Sequence, residues 1–222
     1  IEANDFLVVS DVVLITLGTS WIYKLKELDF VVANCHKVPQ QHFEKVLLSE
    51  SEIITSLQNS LKIISTMAPN AKVIFTVSPV RHLKDGMIEN NVSKARLLSA
   101  LYQISLQEEQ VNYFPSYELL MDDLRDYRFY SDDLLHPNKQ GIEYIWEKFS
   151  ETYFENETSH LNKQIEKMIF AFNHRPFNED SEAHQKFISS TIEQMLAIMR
   201  INPSVDFKQE LTHFKSKLNH VN

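Results

Sequence analysis

The stretch "DVVLITLG", residues 11–18, is a continuous apolar run, rich in β-branched residues, that ends in a glycine. Such a run predicts a strand buried on both faces, which is typical of a parallel sheet. The stretch "AKVIFTVSP", residues 71–79, has the same character and is stopped by Pro79. The shorter run "QVNYFPSY", residues 110–117, predicts a third strand.

Helical patterns lie between and after these strands. Apolar residues recur at helical spacing over Ser49–Met67, where Ser49 and Glu52 form a candidate capping box, and again over Ser93–Glu108. The stretches "SYELLMDDLRD" and "NKQGIEYIWEKFSETYF" predict a short helix and the helix that closes the domain. Alternating strands and helices indicate an α/β fold with a parallel sheet, whose ligands gather at the carboxyl ends of the strands.

The chain changes character after about residue 156. Three helical patterns follow, separated by "RPFNED" and "INPS", where Pro176 and Pro203 interrupt the chain. We therefore expect an α/β domain over residues 1–156 and a helical C-terminal extension over residues 157–222.

Composition excludes several classes of function. The 222 residues are 43% hydrophobic and carry a net charge of −8 without a basic block, which argues against a nucleic-acid partner. No apolar run reaches about 18 residues, so no membrane span is expected. The single cysteine, Cys35, excludes an internal disulfide and favours a reducing, cytoplasmic setting. The opening residues do not resemble a signal peptide, although one placed upstream would change the localisation.

The stretch "DLLHP", residues 133–137, is a candidate half of a catalytic site. Asp133 and His136 are three residues apart, which on a tight turn places the two side chains within reach of each other. The aspartate would fix the imidazole tautomer, and the second ring nitrogen would act as a general base. The alternative is that Ser131 or Asp132 caps a helical turn that His136 simply ends.

Two residues are candidate donors to a developing oxyanion. Asn34, in "VANCHKVP", could donate through its amide, and Gly18 could approach a ligand closely with its backbone N–H. The alternatives are an Asx-turn at Asn34 and a plain strand-to-loop turn at Gly18. Ser20 lacks the Gly-x-Ser-x-Gly setting of a nucleophile elbow, so we expect it to be structural.

Polar residues near these segments are candidates for substrate binding. Arg81 and His82 follow the second strand in "SPVRHLKDG", and His36 follows Asn34. The alternative for Arg81 is an ion pair with an acidic residue of "MDDLRDYRFYSDD". The histidines near these loops show no metal-binding spacing, so we predict neither a metal nor another cofactor.

In their order along the chain and in their residues, these motifs resemble the GSCFA family. The resemblance rests on "LITLGTSWIY", "VVANCHKVPQQHF", "IFTVSPVRHLKDG", "YFPSYELLMDDLRDYRFYSDDLLHPN" and "EYIWEKF", and "HRPFNEDSEAHQKF" is similar to the family's C-terminal tail. The family is related to the SGNH (GDSL-like) hydrolases, which implies a three-layer, flavodoxin-like parallel sheet. It also implies that His136 is the base, Asp133 its orienting acid, and Gly18 and Asn34 the oxyanion donors.

The sequence departs from the family in one respect. The Gly-Ser-Cys-Phe-Ala motif, with the family's presumed nucleophile, is absent from these residues, and no internal serine has a matching context. In the family this motif and the first strand of the sheet lie upstream. We therefore expect residues 1–222 expressed alone to be unstable or prone to aggregation, because "DVVLITLG" would lack a pairing partner.

The resemblance implies a serine esterase or acyltransferase that acts on a small ester such as an acylated carbohydrate. Its rival is a non-catalytic module that binds a polar ligand through the "VRHLKDG" loop. A third hypothesis is that the C-terminal helices mediate self-association and make the chain an assembly unit.

Overall fold

The protein has a mixed α/β fold followed by a helical region, in a computed structural model that describes residues 2–33, 35–178 and 181–218. Its strands are β1 (Val12–Leu17), β2 (Trp21–Leu25), β3 (Phe30–Val32), β4 (Phe43–Leu47), β5 (Lys72–Val77) and β6 (Val111–Phe114). Its helices are α1 (Glu2–Val8), α2 (Glu50–Met67), α3 (Met87–Gln107), α4 (Ser116–Glu118), α5 (Lys139–Tyr153), α6 (Asn156–Asn173), α7 (Glu182–Ile201) and α8 (Lys208–Lys217). The chain divides into two compact units, residues 1–149 and 150–222.

The first unit contains a three-stranded parallel sheet in the order β1-β5-β6. Leu17 lies opposite Val77 at the carboxyl end of the first pair, and Thr76 lies opposite Phe114 in the second. All three strands are those predicted from the apolar runs. The loops that follow β1 and β5 therefore leave the sheet side by side.

Burial differs between the two longer strands. Every residue of β5 after Lys72 is buried, as predicted for a strand covered on both faces. In β1 the side chains alternate, and Val12 and Leu14 are 52% and 53% exposed. The prediction of burial on both faces is thus correct for β5 and wrong for β1, because β1 lies at the edge of the sheet and only its other face meets the core.

Two long helices cover that face of the sheet. The capping box at the start of α2 is confirmed: the Ser49 side chain accepts from the Glu52 N–H, and the Glu52 carboxylate accepts from the Ser49 N–H. Helix α3 begins at Met87, six residues before the predicted start. Residues of both helices and of β5 form one hydrophobic core, including Ile53, Leu57, Val73, Phe75, Val77, Leu97, Leu101 and Ile104.

A second sheet, absent from our predictions, is antiparallel in the order β3-β2-β4. Strand β2 pairs with β4 over five residues, from Trp21 opposite Leu47 to Leu25 opposite Phe43. These strands are short and carry Lys and Glu, so their sequences lack the apolar signal of β1 and β5.

The second unit contains α6, α7 and α8, as predicted for the C-terminal extension. These helices share a hydrophobic core of nine buried residues: Met168, Ala171, Ile188, Ile192, Met195, Ile198, Phe207, Leu211 and Phe214. Among the described residues, no helix has the length and apolar character needed to cross a membrane.

Candidate active site

The candidate base lies in a loop that closes on itself. Tyr130 and Pro137 pair in an isolated antiparallel bridge, and the Ser131 N–H donates to the His136 carbonyl at 2.8 Å. Leu134 has a φ of 57°, in the left-handed region that side chains other than glycine seldom adopt. The loop is therefore a defined structure, held together at its two ends.

Asp133 and His136 form a hydrogen-bonded pair inside this loop. The Oδ2 atom of Asp133 lies 2.6 Å from the Nδ1 atom of His136. The Oδ1 atom accepts from the backbone N–H groups of Leu135 at 2.9 Å and His136 at 3.0 Å. The His136 side chain is 60% exposed, and no described residue forms a hydrogen bond with its Nε2 atom. A carboxylate acceptor at Nδ1 favours the tautomer with the proton on Nδ1, which leaves a lone pair on Nε2.

These bonds keep the carboxylate charged. The backbone N–H of His136, its ring and the N–H of Leu135, in that order, lower the pKa of Asp133 to about 2. Asp133 therefore remains an acceptor for the imidazole at every pH at which a neutral histidine could act as a base.

The loop is anchored to the start of α5. The side chain of Asn138 donates to the Arg128 carbonyl at 2.6 Å and accepts from the Gly141 N–H at 3.1 Å. Asn138 thus caps α5. In the turn that our alternative interpretation had Ser131 or Asp132 cap, the side chain that accepts from the following N–H groups is that of Asp133. A Cβ atom on Gly141 would lie 2.9 Å from the Phe129 carbonyl oxygen, so this glycine is needed for close packing of the loop on the helix.

Gly18 lies directly after β1. Its carbonyl accepts from the Lys94 ammonium at 2.6 Å, while its N–H donates no hydrogen bond to any described residue. Its φ is outside the left-handed region, and a Cβ atom there would meet only the Nε2 atom of His82, at 3.6 Å. The turn itself therefore does not require glycine, contrary to our alternative interpretation of this position.

Arg81 lies against the aromatic residues that precede the His136 loop. Its guanidinium is 5.2 Å from the ring centroid of Tyr130 and 5.9 Å from that of Tyr127, and its Nη2 atom is 3.4 Å from the Tyr130 hydroxyl. It forms no ion pair with any described acidic residue, so the structure does not contain the acidic partner that we had considered. These contacts bring the loop after β5 to the loop that contains Asp133 and His136.

His82 follows Arg81 in the chain, and its ring faces Gly18: Nε2 lies 3.6 Å from the place that a Cβ atom on Gly18 would occupy. Its backbone N–H donates to the side chain of the buried Asn90 at 2.9 Å. Partial burial of the ring is the main cause that lowers the pKa of His82 below 6.5, and the positive charge of Lys94 lowers it further. The imidazole is therefore neutral at pH 7.

An ion pair connects the second sheet to the same loop. The Lys45 ammonium, from β4, binds the carboxylate of Asp85, whose side chain is only 8% exposed. The ammonium also lies 4.7 Å from the ring centroid of Trp21, in β2. The antiparallel sheet is thereby held against the loop after β5.

Two candidates lie on the connection between β3 and β4. Asn34 is outside the described residues. His36 is exposed in a turn closed by a hydrogen bond from the Val38 N–H to the Cys35 carbonyl at 2.9 Å, and it has a φ of 45°. Their assignment to oxyanion and substrate binding stays a prediction.

Ser20, which we expected to be structural, is only 2% exposed. Its hydroxyl lies 3.0 Å from the Ser93 hydroxyl, and its N–H donates to the same atom at 2.8 Å. The Ser93 hydroxyl also lies 2.9 Å from that of Thr19. A serine in this network is shielded from any substrate, so the structure supports a packing role for Ser20.

Sequence reasoning missed Lys94, which is 1% exposed and binds the carbonyls of both Gly18 and Ser78. A lysine in a helical pattern is normally placed at the surface. The available signal was its spacing: Lys94 precedes the buried Leu97 and Leu101 by three and seven residues, so it lies on the apolar face of α3.

No group of acidic, histidine or cysteine side chains among the described residues could hold a metal ion. A groove of about 710 Å³ lies in the second unit, between α6 and α7, and is lined by residues such as Leu161, Met168 and Ile198. None of the candidate site residues lines this groove.

These features define an α/β protein with an Asp–His pair in a loop beside the chain segments that leave the carboxyl ends of a parallel sheet. The first unit, residues 2–149, matches the model of the GSCFA family, and residues 165–220 match that of the GSCFA domain protein, C-terminal domain. The chain therefore belongs to the GSCFA family. No curated protein matches it.

Proposed function

We propose that this protein is an SGNH-like serine esterase or acyltransferase. The observation that carries the proposal is the pair of Asp133 and His136, with a 2.6 Å hydrogen bond at Nδ1, a His136 side chain that is 60% exposed, and no hydrogen bond at Nε2 from any described residue. This is the arrangement that a general base requires: one nitrogen is oriented by a carboxylate and the other can accept a proton.

In the proposed reaction, a serine Oγ attacks the carbonyl carbon of an ester while its proton passes to Nε2 of His136. The tetrahedral intermediate collapses, the bond to the alcohol oxygen breaks, and His136 returns the proton to the leaving alkoxide. Water or another hydroxyl then attacks the acyl-enzyme in the same manner and regenerates the serine. Asp133 stabilises the imidazolium that forms in each half-reaction.

The oxyanion of the intermediate would be stabilised by the Gly18 N–H and by the side chain of Asn34. Two observations support this role: the Gly18 N–H donates no hydrogen bond to any described residue, and a Cβ atom on Gly18 would meet only the Nε2 atom of His82, at an ordinary contact distance of 3.6 Å. A glycine that the turn does not require lets a ligand approach the backbone closely. Asn34 is assigned from the family resemblance alone.

We propose that the nucleophilic serine lies in a chain segment that precedes residue 1. The same segment would add a strand beside β1 and complete a three-layer, flavodoxin-like sheet of the SGNH type. The exposed side chains of Val12 and Leu14 and the edge position of β1 support this arrangement.

The proposed substrate is a small ester, such as an acylated carbohydrate. A non-catalytic, ligand-binding role is a second candidate, and the position of Arg81 favours it. This guanidinium stacks on Tyr130 without an acidic partner among the described residues, so it could bind a polar or anionic ligand without any chemistry.

The test is hydrolysis of a short-chain aryl acetate by the full-length protein and two variants. His136→Ala removes the proposed base and should lower kcat by about 100-fold or more. The matched control is His42→Ala, because the Nδ1 atom of His42 also faces a carboxylate, that of Glu27 at 3.7 Å, at a position that we do not assign to the site. Equal rates for wild type and His136→Ala would refute the proposal and leave the binding role.

A further inference from the structure

Lys94 is buried without a counterion. Its side chain is 1% exposed, and among the described residues it forms no ion pair. Its ammonium is bound by two carbonyl oxygens, those of Gly18 and Ser78, each at 2.6 Å. Burial lowers the pKa of Lys94 to about 8, which shows that this position is an unfavourable one for a charged amine. A leucine or methionine would fill the same volume at lower cost.

The two carbonyls belong to the first residues of two loops of the candidate site. Gly18 begins the segment after β1, and Ser78 begins the loop after β5 that carries Arg81 and His82. The strands themselves end one residue earlier, where the Ser78 N–H donates to the Leu17 carbonyl at 2.9 Å. Lys94 therefore continues the connection between the two chains beyond the end of the sheet.

These bonds fix both peptide planes of Gly18. In the planar trans peptide that joins Leu17 to Gly18, the N–H points opposite to the carbonyl. The Leu17 carbonyl accepts from the N–H of Ser78, the residue that follows β5, and therefore points towards β5. The Gly18 N–H must point in the opposite direction, away from β5. The next peptide plane is fixed by the bond from Lys94 to the Gly18 carbonyl. Without that bond, a glycine has more conformational freedom than any other residue.

We infer that Lys94 is a positioning residue for the proposed esterase reaction: by binding the carbonyls of Gly18 and Ser78 it fixes the peptide plane that follows Gly18, and so limits the rotation of the residue whose N–H is the proposed oxyanion donor. The inference rests on the proposed function. Lys94 acts through Gly18, and its own ammonium remains buried throughout the reaction. After the partial burial of the ring, the charge of Lys94 is the second cause that lowers the pKa of His82.

The test combines kinetics and NMR on the full-length protein carrying Lys94→Met, a variant of similar volume that cannot donate. We expect kcat for an aryl acetate to fall by about 100-fold, as for a misplaced catalytic group, with KM unchanged. In a spectrum of protein labelled with ¹⁵N-glycine, the amide resonance of Gly18 should shift or broaden, while those of Gly86 and Gly141 should not. Residues 1–222 contribute only these three glycine resonances, and the Gly18→Ala variant identifies that of Gly18 among any others in the full-length protein.

The matched control is Arg96→Met. Arg96 lies two residues further along α3 and binds the carbonyls of Leu47 and Leu48, at 3.3 and 2.6 Å, at the end of β4. The control removes the same kind of bond between a cation and two carbonyls, and it should change neither the Gly18 resonance nor kcat.

An unchanged Gly18 resonance in folded Lys94→Met would overturn the inference, and so would a moved resonance with an unchanged kcat. A wild-type protein without esterase activity would instead refute the proposed function, and the resonance would still decide whether Lys94 orients Gly18.

A measurement on the unmodified protein covers the case in which Lys94→Met does not fold. With ¹³C-carbonyl glycine, the Gly18 carbonyl resonance should titrate with a midpoint near pH 8, the pKa of Lys94, and those of Gly86 and Gly141 should not. His82 titrates below pH 6.5 and the half-buried Tyr113 and Tyr117 titrate above pH 10, so none of the three interferes. A Gly18 carbonyl resonance that stays fixed while the Lys94 ammonium loses its proton would overturn the inference.

Discussion

Asp133 binds His136 through both of its carboxylate oxygens. Oδ2 faces the imidazole Nδ1 at 2.6 Å, and Oδ1 accepts from the backbone N–H of the same residue at 3.0 Å. One aspartate therefore fixes the backbone turn and the orientation of the ring together. Within the same turn, Leu134 adopts the left-handed conformation, with a φ of 57°.

Asp133→Asn separates these two functions. The asparagine oxygen can still accept from the backbone, so the turn should persist, and the melting temperature should fall only by what the negative charge contributed to these bonds. Its neutral amide cannot stabilise an imidazolium, and we expect kcat for an aryl acetate to fall by about 100-fold. Steady-state kinetics and thermal denaturation, measured on the same preparation, check both expectations. A large fall in the melting temperature, with an unchanged kcat for the protein that remains folded, would show that Asp133 is only a structural residue.

The lowered pKa of Asp133 predicts where the turn loses its stabilisation. A carboxyl group whose pKa is lower in the folded protein stabilises the fold above its unfolded pKa of 3.8, and this contribution is lost as the pH falls towards about 2. A ¹³C NMR titration of the Asp133 side chain should therefore give a midpoint near 2. A midpoint near 3.8 would mean that the bonds to Leu135 and His136 do not form in solution.

Two glycine substitutions should affect different properties: Gly141→Ala should lower stability, and Gly18→Ala should lower activity. Gly141→Ala places a Cβ atom 2.9 Å from the Phe129 carbonyl oxygen, and the strain should outweigh the gain in helix propensity, lowering stability by about 1–2 kcal/mol. Gly18→Ala meets only His82, at an ordinary contact distance, so its stability should match that of the wild type. Its kcat/KM for the ester should nevertheless fall by about 10-fold or more, because the methyl group occupies the space next to the proposed oxyanion. Urea denaturation and kinetics of both variants test the contrast, and a Gly18→Ala enzyme with full activity would remove Gly18 from the site.

Ser20→Ala distinguishes a structural serine from a nucleophile. The substitution removes hydroxyl contacts with Ser93 in a buried network, so we predict a loss of about 1 kcal/mol in the free energy of unfolding. Because Ser20 is not the proposed nucleophile, ester hydrolysis should persist at a rate within about 10-fold of the wild type. Loss of a true nucleophile would leave only a small fraction of the activity. Abolished activity in a folded Ser20→Ala protein would contradict the assignment of the nucleophile to another segment.

The parallel sheet could be predicted because its signal is local. The strand β5 is buried on both faces, so four of its six residues, Val73, Ile74, Phe75 and Val77, are apolar. The capping box of Ser49 and Glu52 marks the start of α2, which begins at Glu50. The exposed face of β1 could not be predicted, because its sequence is as apolar as that of β5 and only the order of strands in the sheet distinguishes them.

Features that depend on distant residues were beyond the sequence. The antiparallel pairing of Trp21 with Leu47 joins short strands whose polar side chains hide the pattern. The bond from Lys94 to Gly18 joins residues 76 positions apart. The spacing of Lys94 from Leu97 and Leu101 places it on the apolar face of α3, but not beside the Gly18 carbonyl. Asp133 and His136, only three residues apart, could be recognised for the opposite reason.

The most direct test of the central claim is covalent labelling of the full-length protein with a fluorophosphonate, which reacts with serines activated by a general base. We expect one equivalent to be incorporated, on a serine outside residues 1–222. His136→Ala should slow labelling by about 100-fold or more, and His42→Ala should not. Labelling at the same rate in wild type and His136→Ala, or no labelling of the wild type, would contradict the central claim.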